Sequence, residues 1–320
     1  MSKNMEKIFE IGLVPLVVLD NAADAVPLAK ALVAGGIPVA EVTFRTDAAK
    51  DAIAQMAQHV PDLMVGAGTV HTVEKAKEAV EAGAQFIVTP GFIPDVVRYC
   101  VENDIDIIPG TVSPADIEQA MSFGLTTCKF FPAEAYGGVK TLKALAGPYA
   151  DIRFMPTGGV NAENMNEYLS LPNVAAVGGS FMLPGSLVKE KNWAGITALC
   201  QETLKKALGF ELLHVGINTK DKEESLQVAG KLASLFGLPV TEFPGAYFAG
   251  SMFEVIKGKF LGAMGHIAIS TCDIDRAVPY FKRMGVAFQE ETASYDDNGN
   301  LISIYFAEEI GGFALHLRRR

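Results

Sequence analysis

The chain has 320 residues, 49% hydrophobic and 20% charged, a composition that supports a packed core and argues against a disordered chain or a coiled coil. Domains usually run about 100–200 residues, so this length predicts roughly two of them. The formal net charge of -10 disfavours polyphosphate, and the one dense basic patch, Arg318-Arg319-Arg320, reads as a solvated end, so no nucleic-acid partner is expected.

The first apolar run, 13–19, is too short to span a membrane, and Asp20-Asn21 stands where a signal peptide would carry small residues. It reads as a buried strand, and no transmembrane segment is predicted after it. From there to residue 208, short apolar runs alternate with helical patterns. The predicted strands are 13–19, 39–45, 64–70, 86–91, 106–112, 126–133, 152–159 and 174–182. Amphipathic stretches such as 72–82 and 115–123 lie between them, and Asp20, Asp47 and Ser113-Pro114 read as helix caps. Strands and helices alternating in this way predict an α/β fold, a (β/α)8 TIM barrel. An open doubly wound sheet competes, but the first turn, Leu19-Asp20-Asn21-Ala22, lacks the glycine such a sheet usually carries. A helix over 193–208 closes the unit and Gly209 ends it.

Beyond Gly209 strand alternation dominates, with a hairpin signal at Asp297-Asn298-Gly299. The segment 213–219, Leu-His-Val-Gly-Ile-Asn-Thr, lines up with 265–271, Gly-His-Ile-Ala-Ile-Ser-Thr. A helical pattern follows each copy, at 222–236 and 275–284, and each copy closes on a strand, at 251–255 and 313–317. The expectation is a barrel at 1–208 followed by a smaller α+β domain of paired modules at 209–320. Cys100, Cys128, Cys200 and Cys272 form no CxxC pair, which argues against a disulfide framework or a cysteine zinc site. They read as buried thiols of a cytoplasmic protein.

The strongest chemical signal is Thr126-Thr127-Cys128-Lys129-Phe130-Phe131-Pro132-Ala133-Glu134. Burying an unpaired ammonium in an apolar strand is costly, and desolvation favours the neutral amine, a nucleophile toward ketones. Period two puts Thr127, Lys129 and Phe131 on one face. A lysine snorkelling from a strand end, or paired structurally with a carboxylate, would satisfy the same pattern. In Val39-Ala40-Glu41-Val42-Thr43-Phe44-Arg45, the same period puts Glu41, Thr43 and Arg45 together, a carboxylate to shuttle protons and a guanidinium to hold a substrate carboxylate. An interior salt bridge is the structural alternative. Gly66-Ala67-Gly68-Thr69-Val70 supplies small residues and a hydroxyl at a strand end. Pro156-Thr157-Gly158-Gly159-Val160 and Gly178-Gly179-Ser180 follow strands 7 and 8, where barrels often bind phosphate.

Together these motifs, in this order over about residues 5–208, resemble the 2-keto-3-deoxy-6-phosphogluconate (KDPG) and 4-hydroxy-2-oxoglutarate (KHG) aldolase family. The resemblance implies a class I, Schiff-base aldolase acting on a small 2-keto acid without a cofactor. It implies Lys129 as the Schiff-base lysine and Glu41 as general acid/base, with Arg45 and Thr69 on the pyruvate carboxylate. Pro90 and Phe131 would line the site, and Gly158, Gly159 and Ser180 would hold a distal phosphate. A homo-oligomer, a trimer, is also implied. The epimeric 2-keto-3-deoxy-6-phosphogalactonate would use the same groups, and a non-catalytic keto-acid sensor is the alternative from a different class.

The C-terminal repeat resembles the vicinal oxygen chelate, or glyoxalase-like, superfamily of paired βαβββ modules. That resemblance implies a divalent metal held by His214, Glu254, His266 and His316, the residues at repeat-equivalent strand positions. A metal-free fold used for oligomerisation or regulation is the alternative.

Overall fold

Each apolar run of the first region contains strand in the computed structural model, which describes residues 2–320, and every strand is shorter than its run. The strands are β1 (Leu13–Val17), β2 (Val39–Thr43), β3 (Met64–Gly68), β4 (Ile87–Val88), β5 (Ile107–Ile108), β6 (Gly110–Thr111), β7 (Thr127–Phe130), β8 (Arg153–Pro156) and β9 (Val177–Gly179). One predicted run became two pieces, because Pro109 between β5 and β6 has no N–H to give the ladder. Its carbonyl still accepts from the Lys129 N–H at 2.8 Å.

The pairing is parallel throughout, in the orders β5-β4-β3-β2-β1-β9 and β6-β7-β8. Parallel bridges Phe154↔Val174 and Thr157↔Gly178 tie β8 to the segment that carries β9. Every position of β2 and β3 is buried, as expected of a parallel sheet covered on both faces. The parallel ladder is curled, since side chains of β2 and β7, which belong to its two separate sheets, meet (below).

Helix starts were partly legible. Thr72 accepts from the Lys75 N–H before Val73–Glu81, and Ser113 and Asp116 form a full capping box around Pro114–Ser122. Asp20 and Asp47 are not caps. Asn21 takes the first role, accepting from the Ala23 N–H, and Ala49–His59 starts at Ala48 without a side-chain cap. The Thr46 hydroxyl donates to the Leu19 carbonyl, which draws the chain after β2 back toward β1 and delays that helix past Asp47. Trp193–Leu208 forms as expected, and Gly209 follows with φ of 56°, a conformation that favours glycine.

The chain divides into two compact units at the end of this helix, Ala207 closing the first and Leu208–Arg320 forming the second. The second unit holds one mixed sheet of eight strands. They are β10 (Glu211–Ile217), β11 (Val240–Glu242), β12 (Ala246–Ala249), β13 (Phe253–Ile256), β14 (Gly265–Thr271), β15 (Phe288–Tyr295), β16 (Leu301–Phe306) and β17 (Phe313–Arg319). The order is β11-β12-β13-β10-β14-β17-β16-β15, with β10 and β14 antiparallel at the centre. Each half is strand, helix, three strands, the helices being Lys222–Phe236 and Ile274–Arg283. The first helix seats Ala229 against Tyr247 and Val255, flanked by Val228 and Leu232, and the buried Ser225 hydroxyl donates to the Val255 carbonyl at 2.8 Å.

The terminal arginines lie at the surface, β17 running through Arg319, with Arg319 paired with Asp275 at 2.7 Å and Arg320 with Glu211 at 3.1 Å. One expectation for this region is corrected. Cys272 is exposed, unlike the other three cysteines, because it lies in the turn after β14. Among the described residues no helix is long and apolar enough to cross a membrane.

Candidate functional site

Lys129 and Glu41 come from β7 and β2 and meet inside the curled sheet. Nζ lies 3.2 Å from Glu41 Oε1, with the lysine 4% and the glutamate 0% exposed. The ion pair answers the cost that makes a lysine in an apolar strand unusual. Glu41 Oε2 is buried and has no partner among the described residues, so this carboxylate keeps one acceptor oxygen uncommitted. Nζ also lies 5.3 Å from the Phe131 ring centroid, as the shared face of Lys129 and Phe131 predicts.

Small residues make the meeting possible. A Cβ on Gly68 would fall 2.2 Å from Glu41 Oε1 and 2.6 Å from its Cγ. The Thr111 hydroxyl donates to the Lys129 carbonyl, and the Thr43 hydroxyl to the Val17 carbonyl, so neither has its proton free for the ion pair.

The remaining residues of the first unit singled out in the sequence sit at the C-terminal ends of strands, which in a parallel sheet share one end. Arg45 follows β2, but the strand ends at Thr43, so Arg45 lies in the turn, exposed and outside the strict alternation. Thr69 follows β3 with φ of 59°, a left-handed conformation uncommon for a residue other than glycine. Pro90 follows β4 and abuts Gly110, where a Cβ would lie 2.3 Å from the Pro90 carbonyl. Gly158 and Gly159 follow β8 with φ of 91° and 84°, and Ser180 follows β9. Gly158 packs against Phe131 and Pro132. Exposure grades outward, from buried Lys129 and Glu41 through half-buried Thr69, Pro90, Phe131 and Gly158 to exposed Arg45, Gly159 and Ser180.

The second unit gathers His214, His266, His316 and Glu254. His214 Nε2 lies 3.1 Å from His266 Nε2, and Glu254 Oε2 lies 3.0 Å and 3.1 Å from those two nitrogens. One nitrogen from each of the three histidines lies within 4.8 Å of the others. The register explains the gathering: His214 on β10 faces Ala268 on β14, and His266 on β14 faces Gly216 on β10, so each ring meets a small residue across the ladder. A Cβ on Gly216 would sit 2.1 Å from the His266 ring. His316 on β17 also lies beside Ala268.

The charges are uneven. Burial alone would raise the Glu254 carboxyl, but hydrogen bonds from His214 and His266 outweigh it and hold the group at about 2. His316 is pushed down to about 3, first by burial and then by the neighbouring histidines. It is 4% exposed, and neither ring nitrogen has a partner among the described residues. Tyr305 stacks on it with centroids 4.5 Å apart and planes 14° from parallel. Sequence reading missed this aromatic wall, although Tyr305 lies on a strand with β character. It also gave Gly68 only a general role and gave Glu134 none.

A curled parallel sheet with a lysine–carboxylate pair in its interior and glycine turns after its last strands defines a class, and the comparisons give it a family. Residues 5–199 match the model of the KDPG and KHG aldolases, and the chain belongs to that family. It is 48% identical over 200 residues to the 2-dehydro-3-deoxy-phosphogluconate aldolase of Treponema pallidum, covering 62% of this chain and 95% of the relative. Among solved structures, the KDPG aldolase of Legionella pneumophila, with pyruvate captured as a covalent carbinolamine, is 40% identical with a TM-score of 0.61. That alignment covers 63% of this chain and 98% of the other. The KDPG aldolase of Zymomonas mobilis with 3-phosphoglycerate is 38% identical, with a TM-score of 0.60, over 63% of this chain and 96% of that one.

Proposed function

We propose that this chain is a class I aldolase that cleaves KDPG to pyruvate and glyceraldehyde 3-phosphate, or KHG to pyruvate and glyoxylate. The observation that carries the reading is the buried pair of Lys129 Nζ and Glu41 Oε1 at 3.2 Å, the second carboxylate oxygen having no partner among the described residues. The relative solved with a pyruvate carbinolamine supports it.

In this mechanism the Lys129 amine adds to the C2 ketone, and the carbinolamine loses water to form an iminium. Glu41 takes the proton of the C4 hydroxyl, the C3–C4 bond breaks, and its electron pair moves toward the iminium to give an enamine. The aldehyde leaves. Protonation at C3 and hydrolysis release pyruvate and restore the amine. Arg45 and Thr69 are assigned to the pyruvate carboxylate, with Pro90 and Phe131 as walls. Gly158, Gly159 and Ser180 are assigned to the distal phosphate, consistent with the phosphate-bearing ligand of the second solved relative.

We read the parallel ladder, with its bridges from β8 toward β9, as a (β/α)8 barrel over 1–208. We read the two strand–helix–strand halves of 209–320 as a glyoxalase-like domain. Its four gathered side chains suit a divalent transition metal. Ligand atoms about 2.1 Å from one ion and at right angles are about 3.0 Å apart, and the His214, His266 and Glu254 atoms are spaced at 3.0–3.1 Å. The unpartnered ring of His316 offers a further donor. Such an ion would supply Lewis acidity there. The protein's own part is to hold His214 and His266 against Glu254 and to seat His316 on Tyr305.

Borohydride trapping with pyruvate tests the first reading by intact mass. A pyruvate-sized adduct on the wild type, mapped to Lys129 and missing from Lys129→Ala, is the expected result. A correctly folded wild type without an adduct would sink it.

A further inference from the structure

Glu134 begins the short turn Glu134–Tyr136 after β7, and three observations tie it to the glycine turn after β8. Its N–H donates to the Gly158 carbonyl at 3.1 Å, next to an Ala133 N–H to Thr157 carbonyl bond of 2.7 Å. A trans peptide holds its C=O and N–H on opposite sides. Fastening the Gly158 carbonyl to Glu134 therefore turns the Gly159 N–H the other way, and that N–H has no acceptor among the described residues. The aliphatic stem of Glu134 lies flush against the same turn: a Cβ on Gly159 would fall 2.4 Å from its Cγ and 2.5 Å from its Cβ.

The third tie fixes the side chain itself. Glu134 Oε1 accepts a hydrogen bond from the hydroxyl of Tyr168, which is fully buried, and burial and this carboxylate together raise the Tyr168 phenol. Gly138 clears space for that bond, since its Cβ would lie 2.7 Å from the Tyr168 hydroxyl and 2.9 Å from Glu134 Oε1. A carboxylate beside an anion site would normally repel the anion. Here it faces Tyr168, and its apolar stem is what touches Gly159.

We propose that Glu134 is a positioning residue for the distal phosphate: its backbone and stem, anchored through Tyr168, hold the Gly158-Gly159 turn with an amide aimed at the anion. This rests on the reading that Gly158, Gly159 and Ser180 bind that phosphate. Because KHG has no phosphate, the role is selective between two substrates of one site.

The test is steady-state cleavage of KDPG and KHG by the full chain carrying Glu134→Ala, Glu134→Gln, Tyr168→Phe or Ser180→Ala. Loss of an outer partner that orients a metal ligand typically costs about 10–100-fold; with an effect at the lower end of that range for this phosphate turn, Glu134→Ala should raise KM for KDPG about tenfold, with kcat and both KHG constants within about twofold of wild type. Glu134→Gln keeps the stem and an acceptor for Tyr168 and should restore the KDPG KM. Tyr168→Phe should shift it in the same direction by less. Equal losses on both substrates, no loss on either, or failure of Glu134→Gln to rescue would overturn the proposal. Ser180→Ala separates the two levels. If it spares KDPG, the phosphate reading itself falls and the proposal with it; if it weakens KDPG alone while Glu134→Ala does not, only the role of Glu134 falls.

Discussion

The two units bury ionisable groups in opposite ways. In the first, one ammonium meets one carboxylate across a curled parallel sheet, and the pair balances itself. In the second, three imidazoles and one carboxylate crowd neighbouring strands of a mixed sheet, and the nitrogens of His316 have no partner among the described residues. A balanced pair suits chemistry done by the protein's own amine. A cluster of three imidazoles around one carboxylate offers the nitrogen and oxygen donors that suit an added cation. The family match ends at residue 199, so for the second cluster geometry alone carries the reading.

The contrast can be broken most sharply at Lys129. Lys129→Met keeps the apolar packing but removes the nucleophile, so KDPG and KHG cleavage should fall to background in a coupled pyruvate assay. Removing one partner of a buried pair costs about 3–5 kcal/mol, which urea unfolding of the first transition should report. The double variant Lys129→Met/Glu41→Gln should recover much of that loss. A single variant as stable as wild type would mean the pair is not the buried couple described here.

The second cluster is tested by adding an ion. Zinc or cobalt at a hundredfold excess over Kd should stabilise the wild type by about 2.7 kcal/mol through linkage, seen as a rise in Tm, and His316→Ala should lose most of that rise. Cobalt should also give visible absorption bands in the wild type. Equal stabilisation of both chains would place the ion elsewhere.

A smaller effect is expected at Gly68. Overpacking a fitted site costs typically about 1–3 kcal/mol, so Gly68→Ala should lose stability in that range. It should slow turnover by displacing Glu41 while leaving borohydride trapping at Lys129. Full activity would show that Glu41 tolerates the displacement. The smallest effect belongs to the second unit, where Ser225→Ala deletes one buried hydrogen bond, worth about 1 kcal/mol, and should lower the denaturant midpoint without altering aldol turnover.

The alternation of strands and helices and the repeat in the second unit were readable from the chain alone, because apolar periodicity and turn residues are local signals. The sequence also marked Lys129 and Glu41, since a charge inside an apolar strand is conspicuous wherever the chain then goes. One local reading failed where a longer-range bond stands: the Thr46 hydroxyl donates to the Leu19 carbonyl, and the helix after it starts at Ala48 rather than Asp47.

It took the folded molecule to join Lys129 and Glu41, 88 residues apart, in one hydrogen bond, and to require that Gly68 stay bare to allow it. The fold likewise brought His214 and His266 together with Glu254 and laid Tyr305 on His316. Strand period gives the face a side chain takes, but not which face of which distant strand it will meet. That depends on the curl and register of the whole sheet, which no stretch of sequence carries alone.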